Sequence, residues 1–256
     1  VFLNFDKVKK FFTEINSVYD GISLAITGHT HQQFFYRSNR LAWINPGAME
    51  DSWNGSREFA IYEPERKEAA FARLSSAESR IHPTSVGILS DTYNVDDLDS
   101  GFWRRCRKSF DDRDVTSVIC CGNFLPQDIG REELSGLQVY YYLQPDYSLP
   151  AVVPENWHAI DPSNPIIEIA GHNFYVQHGI GSEQGSMSEI ERDQALRDIR
   201  SRYSHLDYII AGLGSETIYQ EFEKYAFINP GDARDLHYYA VLCLPRREYT
   251  FGVVGT

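Results

Sequence analysis

Six side chains in this sequence are candidates, by type and by position, for holding a metal ion or a phosphate: His29, His31, Asp91, Asn123, Gln144 and His178. His29 and His31 lie in Gly28-His29-Thr30-His31, and Ile44-Asn45-Pro46-Gly47 follows. Neutral imidazole is a good ligand for divalent transition metals, and alternation along a turn lets two imidazoles two residues apart reach a common centre. Asp91, Asn123, Gln144 and His178 each follow a short run that reads as a β-strand. Strand ends in open α/β sheets converge on a crevice where ligands bind. Any one of the four could be an ordinary turn former or helix cap. Their order along the chain makes them a candidate site.

The motif occurs twice, and the second copy has lost its histidines. Gly28 to Asn45 is a step of 17 (45 − 28), as is Gly212 to Asn229 (229 − 212), and both intervals end in Ile-Asn-Pro-Gly. Leu213 and Ser215 stand where the first copy has His29 and His31. The match continues from Ala60 through Phe71 into Ala240 through Phe251, a step of 11 in each (71 − 60; 251 − 240), with Arg66 and Glu68 answered by Arg246 and Glu248. The offset falls from 184 to 180 between the blocks, which places four extra residues in the turn Trp53-Asn54-Gly55-Ser56. Self-similarity of this length predicts duplication of a whole structural unit. Residues 1–74 are then the C-terminal part of a first domain, 75–84 a polar linker carrying Pro83, and 85–256 a complete second domain.

The elements that must position these residues follow from periodicity. Val8, Phe11, Phe12 and Ile15 share one helical face, predicting a helix over Phe5 to Val18 that Gly21 ends. Ser23 to Thr27 is a short strand, and Gln33 to Arg37 with Leu41 to Ile44 a hairpin. Glu58 to Tyr62 with Ala69 to Leu74 forms another. Beyond the linker come a strand at Val86 to Leu89, a helix at Gly101 to Phe110 and strands at Ser117 to Cys121 and Val139 to Leu143. A hairpin of Ile166 to Ile169 and Phe174 to Gln177 precedes a helix from Ser188 to Tyr203 and a strand from Asp207 to Ala211. Strands alternating with helices early and hairpins late predict an α/β layered fold, with mixed sheets flanked by helices.

A net charge of −12 and a pI near 5.1 disfavour a nucleic-acid surface, which needs clustered cations. The basic run Arg104-Arg105-Cys106-Arg107-Lys108 reads as the solvated face of an amphipathic helix. No apolar run approaches the roughly 20 residues that span a bilayer, and no signal peptide is visible, so no membrane partner is expected. Cys106, Cys120, Cys121 and Cys243 lack C-x-x-C spacing and read as reduced thiols, which places the protein in the cytoplasm. Tyr140, Tyr141, Tyr142 and Tyr147 form either an exposed aromatic patch or ordinary core cover.

Taken in order, Asp91, Gly122-Asn123, Leu143-Gln144-Pro145-Asp146, His178-Gly179 and Gly28-His29-Thr30-His31 with Asn45-Pro46-Gly47 resemble the calcineurin-like metallophosphoesterase superfamily, and within it the small phosphodiesterase type. That resemblance implies a two-metal site of manganese, iron or zinc that activates a hydroxide against phosphorus. It implies that His29 and His31 are the last two metal-ligand histidines, one for each metal, and that Asn45-Pro46-Gly47 is a structural turn. The second copy departs from the pattern. Asp91 and His178 are kept, but Tyr93 replaces a histidine, Asn123 the bridging aspartate and Gln144 another ligand. Two dications a few ångströms apart repel unless anionic ligands compensate, so no metal is expected there. The expected function is part of a tandem phosphoesterase acting on a small phosphate ester. The first copy would be catalytic when complete and the present chain inactive by itself. The second copy would be structural, packing against the first or supporting a homo-oligomer. The alternative is a pseudoenzyme serving as a protein-interaction scaffold, or one binding a weak metal or a nucleotide-like phosphate at Asp91, Asn123, Gln144 and His178.

Overall fold

Continuous apolar runs and alternating hairpins resolve into two mixed sheets. The computed structural model describes residues 22–28, 33–37, 41–47, 57–65, 67–74, 84–93, 99–143, 147–179, 189–212, 216–222, 224–244 and 248–254, with Lys10, Thr13, Glu14 and Val18. Those last four are helical and are what is described of the helix expected from Phe5 to Val18. The turn at 53–56 and residues 75–83 lie outside the described residues. Thr84, expected as the end of the linker, instead opens a strand.

The first sheet contains β1 (Leu24–Ile26), β2 (Gln33–Arg37), β3 (Ala42–Pro46), β10 (Ile166–Ile169), β11 (His172–Gln177), β12 (Tyr208–Ala211), β13 (Thr217–Glu221) and β14 (Ala226–Asn229). Its order is β1-β3-β2-β13-β14-β12-β11-β10. The second contains β4 (Arg57–Glu63), β5 (Glu68–Leu74), β6 (Thr84–Leu89), β7 (Val115–Phe124), β8 (Gln138–Leu143), β9 (Trp157–Ala159), β15 (Tyr238–Leu244) and β16 (Glu248–Val253). Its order is β4-β5-β16-β15-β6-β7-β8-β9.

The strands β6, β7, β8 and β9 run parallel. Such strands are covered on both faces, which is why β6 and β7 read as nearly unbroken apolar runs. Phe35, Phe71, Val86, Ile119, Phe174, Ile210, Leu242 and Phe251 come from both sheets and meet in one core between them. A second core lies under α1 (Phe102–Asp111), which buries Phe102, Trp103, Cys106 and Phe110. Arg104 and Lys108 on its other face are exposed. A third core lies against α2 (Glu189–Arg202) through Leu196. Two sheets face to face with helices outside make an α/β layered architecture.

The two motif copies adopt the same strand pairing. Leu24 to Ile26 pair in parallel with Ala42 to Ile44, and Tyr208 to Ile210 pair in parallel with Ala226 to Ile228. Phe34 lies opposite Asn45, and Ile218 opposite Asn229. Ala60 lies opposite Phe71, and Ala240 opposite Phe251. The two sets then meet each other about an approximate two-fold axis. Phe35 pairs with its own counterpart Tyr219, and Ala70 with its own counterpart Thr250. Pairing of a segment with its equivalent is what a two-fold, isologous contact requires.

The Asn-Pro-Gly turns also match. The Gly47 N–H donates to Asn45 Oδ1 at 3.1 Å, and the Gly231 N–H donates to Asn229 Oδ1 at 3.1 Å. Both glycines have positive φ, +92° and +83°, a region that costs a side chain with a Cβ. At Gly231 an added Cβ would lie 2.5 Å from Thr217 Oγ1. Asn229 is fully buried, so Asn229→Ala leaves the Gly231 N–H without that acceptor. The expected cost is about 2 kcal/mol, read as a shift of the urea midpoint at unchanged m-value.

Candidate functional site

Three of the six expected site residues are described, and the fold brings them together. Asp91 follows β6, Asn123 lies near the end of β7, and His178 follows β11. His29, His31 and Gln144 lie outside the described residues, as do Leu213 and Ser215. The Asp91 carboxylate accepts from Asn123 Nδ2 at 2.5 Å through Oδ1 and from Ser90 Oγ at 3.0 Å through Oδ2. His178 Nε2 stands 3.6 Å from the same Oδ1. The Asp91 N–H donates to the Gly122 carbonyl at 3.0 Å, tying the two strand ends together.

The local backbone explains why these positions come forward. Asp91 and Asn123 have φ of +55° and +44°. Asp and Asn tolerate this left-handed region better than other side-chain-bearing residues, and such conformations gather at functional sites because the surroundings must enforce them. β7 continues to Phe124, past the strand end expected at Cys121, with irregular register against β8 between Cys120 and Phe124. Gly122-Asn123 reads as a turn in sequence, yet it is the irregular part of a longer strand.

Sequence reasoning missed the residues that pack against this cluster. Ser90 is fully buried, and its carbonyl accepts from the Ala233 N–H at 3.0 Å, at the start of α3 (Ala233–Leu236). A Cβ on Gly212 would lie 1.9 Å from Ser90 Oγ, and one on Gly122 would lie 2.5 Å from His178 Cδ2. Both glycines let strand ends approach Ser90 and His178 more closely than any side chain would allow. Arg234 lies 4.4 Å over the ring of Tyr93, the residue at the position of an expected ligand histidine. Only the repeat flagged Gly212, and nothing in the local sequence marks Ser90 or Arg234.

Among the described residues the cluster offers one carboxylate and one imidazole, the amide of Asn123 presents its N–H to that carboxylate, and a guanidinium covers Tyr93. A pair of dications needs more anionic charge than this described set supplies. Among the described residues, no three His, Cys, Asp or Glu side chains converge to hold a metal.

Cys121 lies beside this cluster, fully buried, with its thiol donating to the Leu89 carbonyl at 3.3 Å. Burial pushes the thiol from about 9 up to about 12, opposed by a hydrogen bond with Ser90. The folded protein therefore keeps a proton that the unfolded chain releases between pH 9 and 12. Stability from this group is fully present below pH 9 and is lost as pH rises to 12. Tyr239, raised by burial from 10 to about 12, acts in the same direction. Cys121→Ala is expected to flatten, without abolishing, the alkaline fall in a denaturant titration. The native thiol is expected to resist iodoacetamide at pH 8.

The tyrosine run resolves as core cover. Tyr141 and Tyr142 are buried and Tyr140 half-buried, while Tyr147 is 43% exposed. Cys106, Cys120 and Cys121 are buried thiols and Cys243 is half-buried. No helix among the described residues is long and apolar enough to cross a membrane.

No protein-family model and no curated protein sequence matches this chain. Solved structures similar to it include an archaeal phosphodiesterase at 18% identity, covering 66% of this chain and 98% of that one, with a TM-score of 0.45. Vps29 of Entamoeba histolytica, complexed with zinc, is similar at 14% identity over 66% and 90% of the two chains, TM-score 0.41. A Thermus thermophilus protein is similar at 13% identity over 68% and 100%, TM-score 0.48. At these identities the likeness is one of fold alone. The solved structures that this chain resembles have the calcineurin-like metallophosphoesterase fold.

Proposed function

We propose that this chain is part of a tandem metallophosphoesterase in which residues 1–74 end a first, catalytic unit and residues 85–256 form a second, degenerate one. His29 and His31 belong to the metal site of the first unit, which hydrolyses a small phosphate mono- or diester. When bound, divalent manganese, iron or zinc supplies Lewis-acid activation of water and neutralises charge at phosphorus. The second unit binds no metal pair and serves as the structural partner of the first. The observation that carries this is the hydrogen bond from Asn123 Nδ2 to Asp91. It puts a neutral donor where the resemblance calls for a carboxylate bridging two cations. The matched registers of the two motif copies support a duplicated origin.

The test is turnover of a generic aryl phosphodiester with added manganese. Residues 1–256 alone are expected to be inactive. The polypeptide encoded by the full reading frame is expected to be active, to lose at least about a hundredfold in rate with His31→Ala, and to keep its rate with His178→Ala. Turnover by residues 1–256 alone, abolished by His178→Ala, would overturn the assignment. Failure of any form to hydrolyse phosphate esters favours the scaffold alternative.

A further inference from the structure

Among the described residues, β1 ends one sheet and β4 ends the other. Their counterparts do not. β12 is paired in parallel with β11 on its outer side, and β15 is paired antiparallel with β6. Burial records the difference. Ile26 is 66% exposed where its counterpart Ile210 is 0%, and Ile61 is 56% exposed where its counterpart Val241 is 4%. Among the described residues, the other large apolar side chains that stand exposed, Val18, Tyr147, Leu149 and Val152, lie outside strands.

An open edge is normally blunted by proline, lysine, a bulge or shortness. β4 is seven residues long and in unbroken register with β5; its charged residues Arg57, Glu58 and Glu63 stand at its ends, and its central run Phe59-Ala60-Ile61-Tyr62 has no proline, lysine or bulge. An edge of this kind that also bares an isoleucine is built to be covered.

Resting on the tandem reading, we propose that β1 and β4 together form a docking face for a strand–helix–strand body built like Ser85 to Gln177 and carried upstream on the same polypeptide. One strand of that body adds antiparallel to β4, as β6 does to β15, and another adds parallel to β1, as β11 does to β12. The residue opposite Ile61 takes the place that Gly87 has opposite Val241, and the residue opposite Ile26 takes the place that Val176 has opposite Ile210. Two edges on different sheets must be filled in register at once. A tethered segment does this at the high effective concentration that a separate molecule lacks.

The experiment compares residues 1–256 with the polypeptide encoded by the full reading frame, using maleimide labelling of Ile26→Cys, Ile61→Cys and Tyr147→Cys, each on a Cys243→Ser background. In residues 1–256 all three are expected to label at similar rates. In the longer polypeptide the first two are expected to slow roughly tenfold or more relative to Tyr147→Cys. Hydrogen exchange of the amides of β1 and β4 in the unsubstituted proteins is expected to slow in parallel. Equal labelling and exchange in both proteins would overturn the proposal. So would a reading frame with no upstream strand–helix–strand segment, or protection in residues 1–256 that rises with concentration, which would make a second copy the occupant. Protected edges in a polypeptide without phosphoesterase activity would sink the catalytic reading and leave the docking face standing.

Discussion

Phe35→Ala is expected to lower stability by about 3–5 kcal/mol, the range for removing a fully buried aromatic side chain and leaving a cavity. Phe35 has no exposed surface. Its ring stacks on Phe251 at 5.0 Å and meets Phe71 edge-on at 5.8 Å. It also lies at the two-fold pairing of β2 with β13, opposite Tyr219. Tyr219 in turn stacks on Tyr249, which stacks on Phe71. The aromatic cluster thus joins the first strands of the chain to the last. Loss of one ring should destabilise both motif copies together, in a single transition with coincident far-ultraviolet and tyrosine-fluorescence midpoints. Separate midpoints would mean that the copies fold as independent units and that the cluster does not couple them. Ile61→Ala, at a side chain already 56% exposed, is the control and should change stability by no more than about 0.5 kcal/mol.

The local elements of this fold were legible in sequence, and the meeting of the two copies was not. The aromatic-rich run Gln33 to Arg37, buried throughout, and the apolar run Val86 to Leu89 identify strands by residue type. The spacing of Phe102, Trp103, Cys106 and Phe110 identifies a helix with one buried face. The two steps of 17 and 11 residues align the copies with each other, and the registers follow the same offsets. Nothing in those steps says that Phe35 should lie opposite Tyr219, because that contact depends on how two edges dock. β9 was missed for a related reason: three residues of which only Trp157 is buried carry no periodicity to read. The candidate site shows the same division. Asp91, Asn123 and His178 were visible as residue types that follow strands. Ser90, the close approach at Gly212 and the stacking of Arg234 on Tyr93 depend on chain separations of about a hundred residues or more.

The contact between Asp91 and Asn123 makes the proposed loss of metal-binding charge testable. Asn123→Asp replaces an amide that donates to Asp91 at 2.5 Å with a second carboxylate. Two carboxylates at that separation cannot both ionise without large repulsion, so one of the pair holds its proton far into the range where an ordinary aspartate has lost it. For an acid whose folded pKa is raised, stability is present below the unfolded value near 4 and is lost as pH climbs toward the folded value. The variant is therefore expected to be close to the parent protein near pH 4 and to have a clearly lower denaturant midpoint than the parent at pH 8. A divalent cation relieves the same repulsion. Manganese at millimolar concentration should raise the melting temperature of Asn123→Asp by several degrees while leaving the parent protein within about one degree. Elemental analysis should find about one bound metal rather than two, since Tyr93 still stands where the resemblance calls for a histidine and Arg234 lies over its ring. A parent protein that is stabilised as strongly by manganese as the variant would show that the amide is no barrier to metal, and would overturn the proposal that the second unit binds no metal pair.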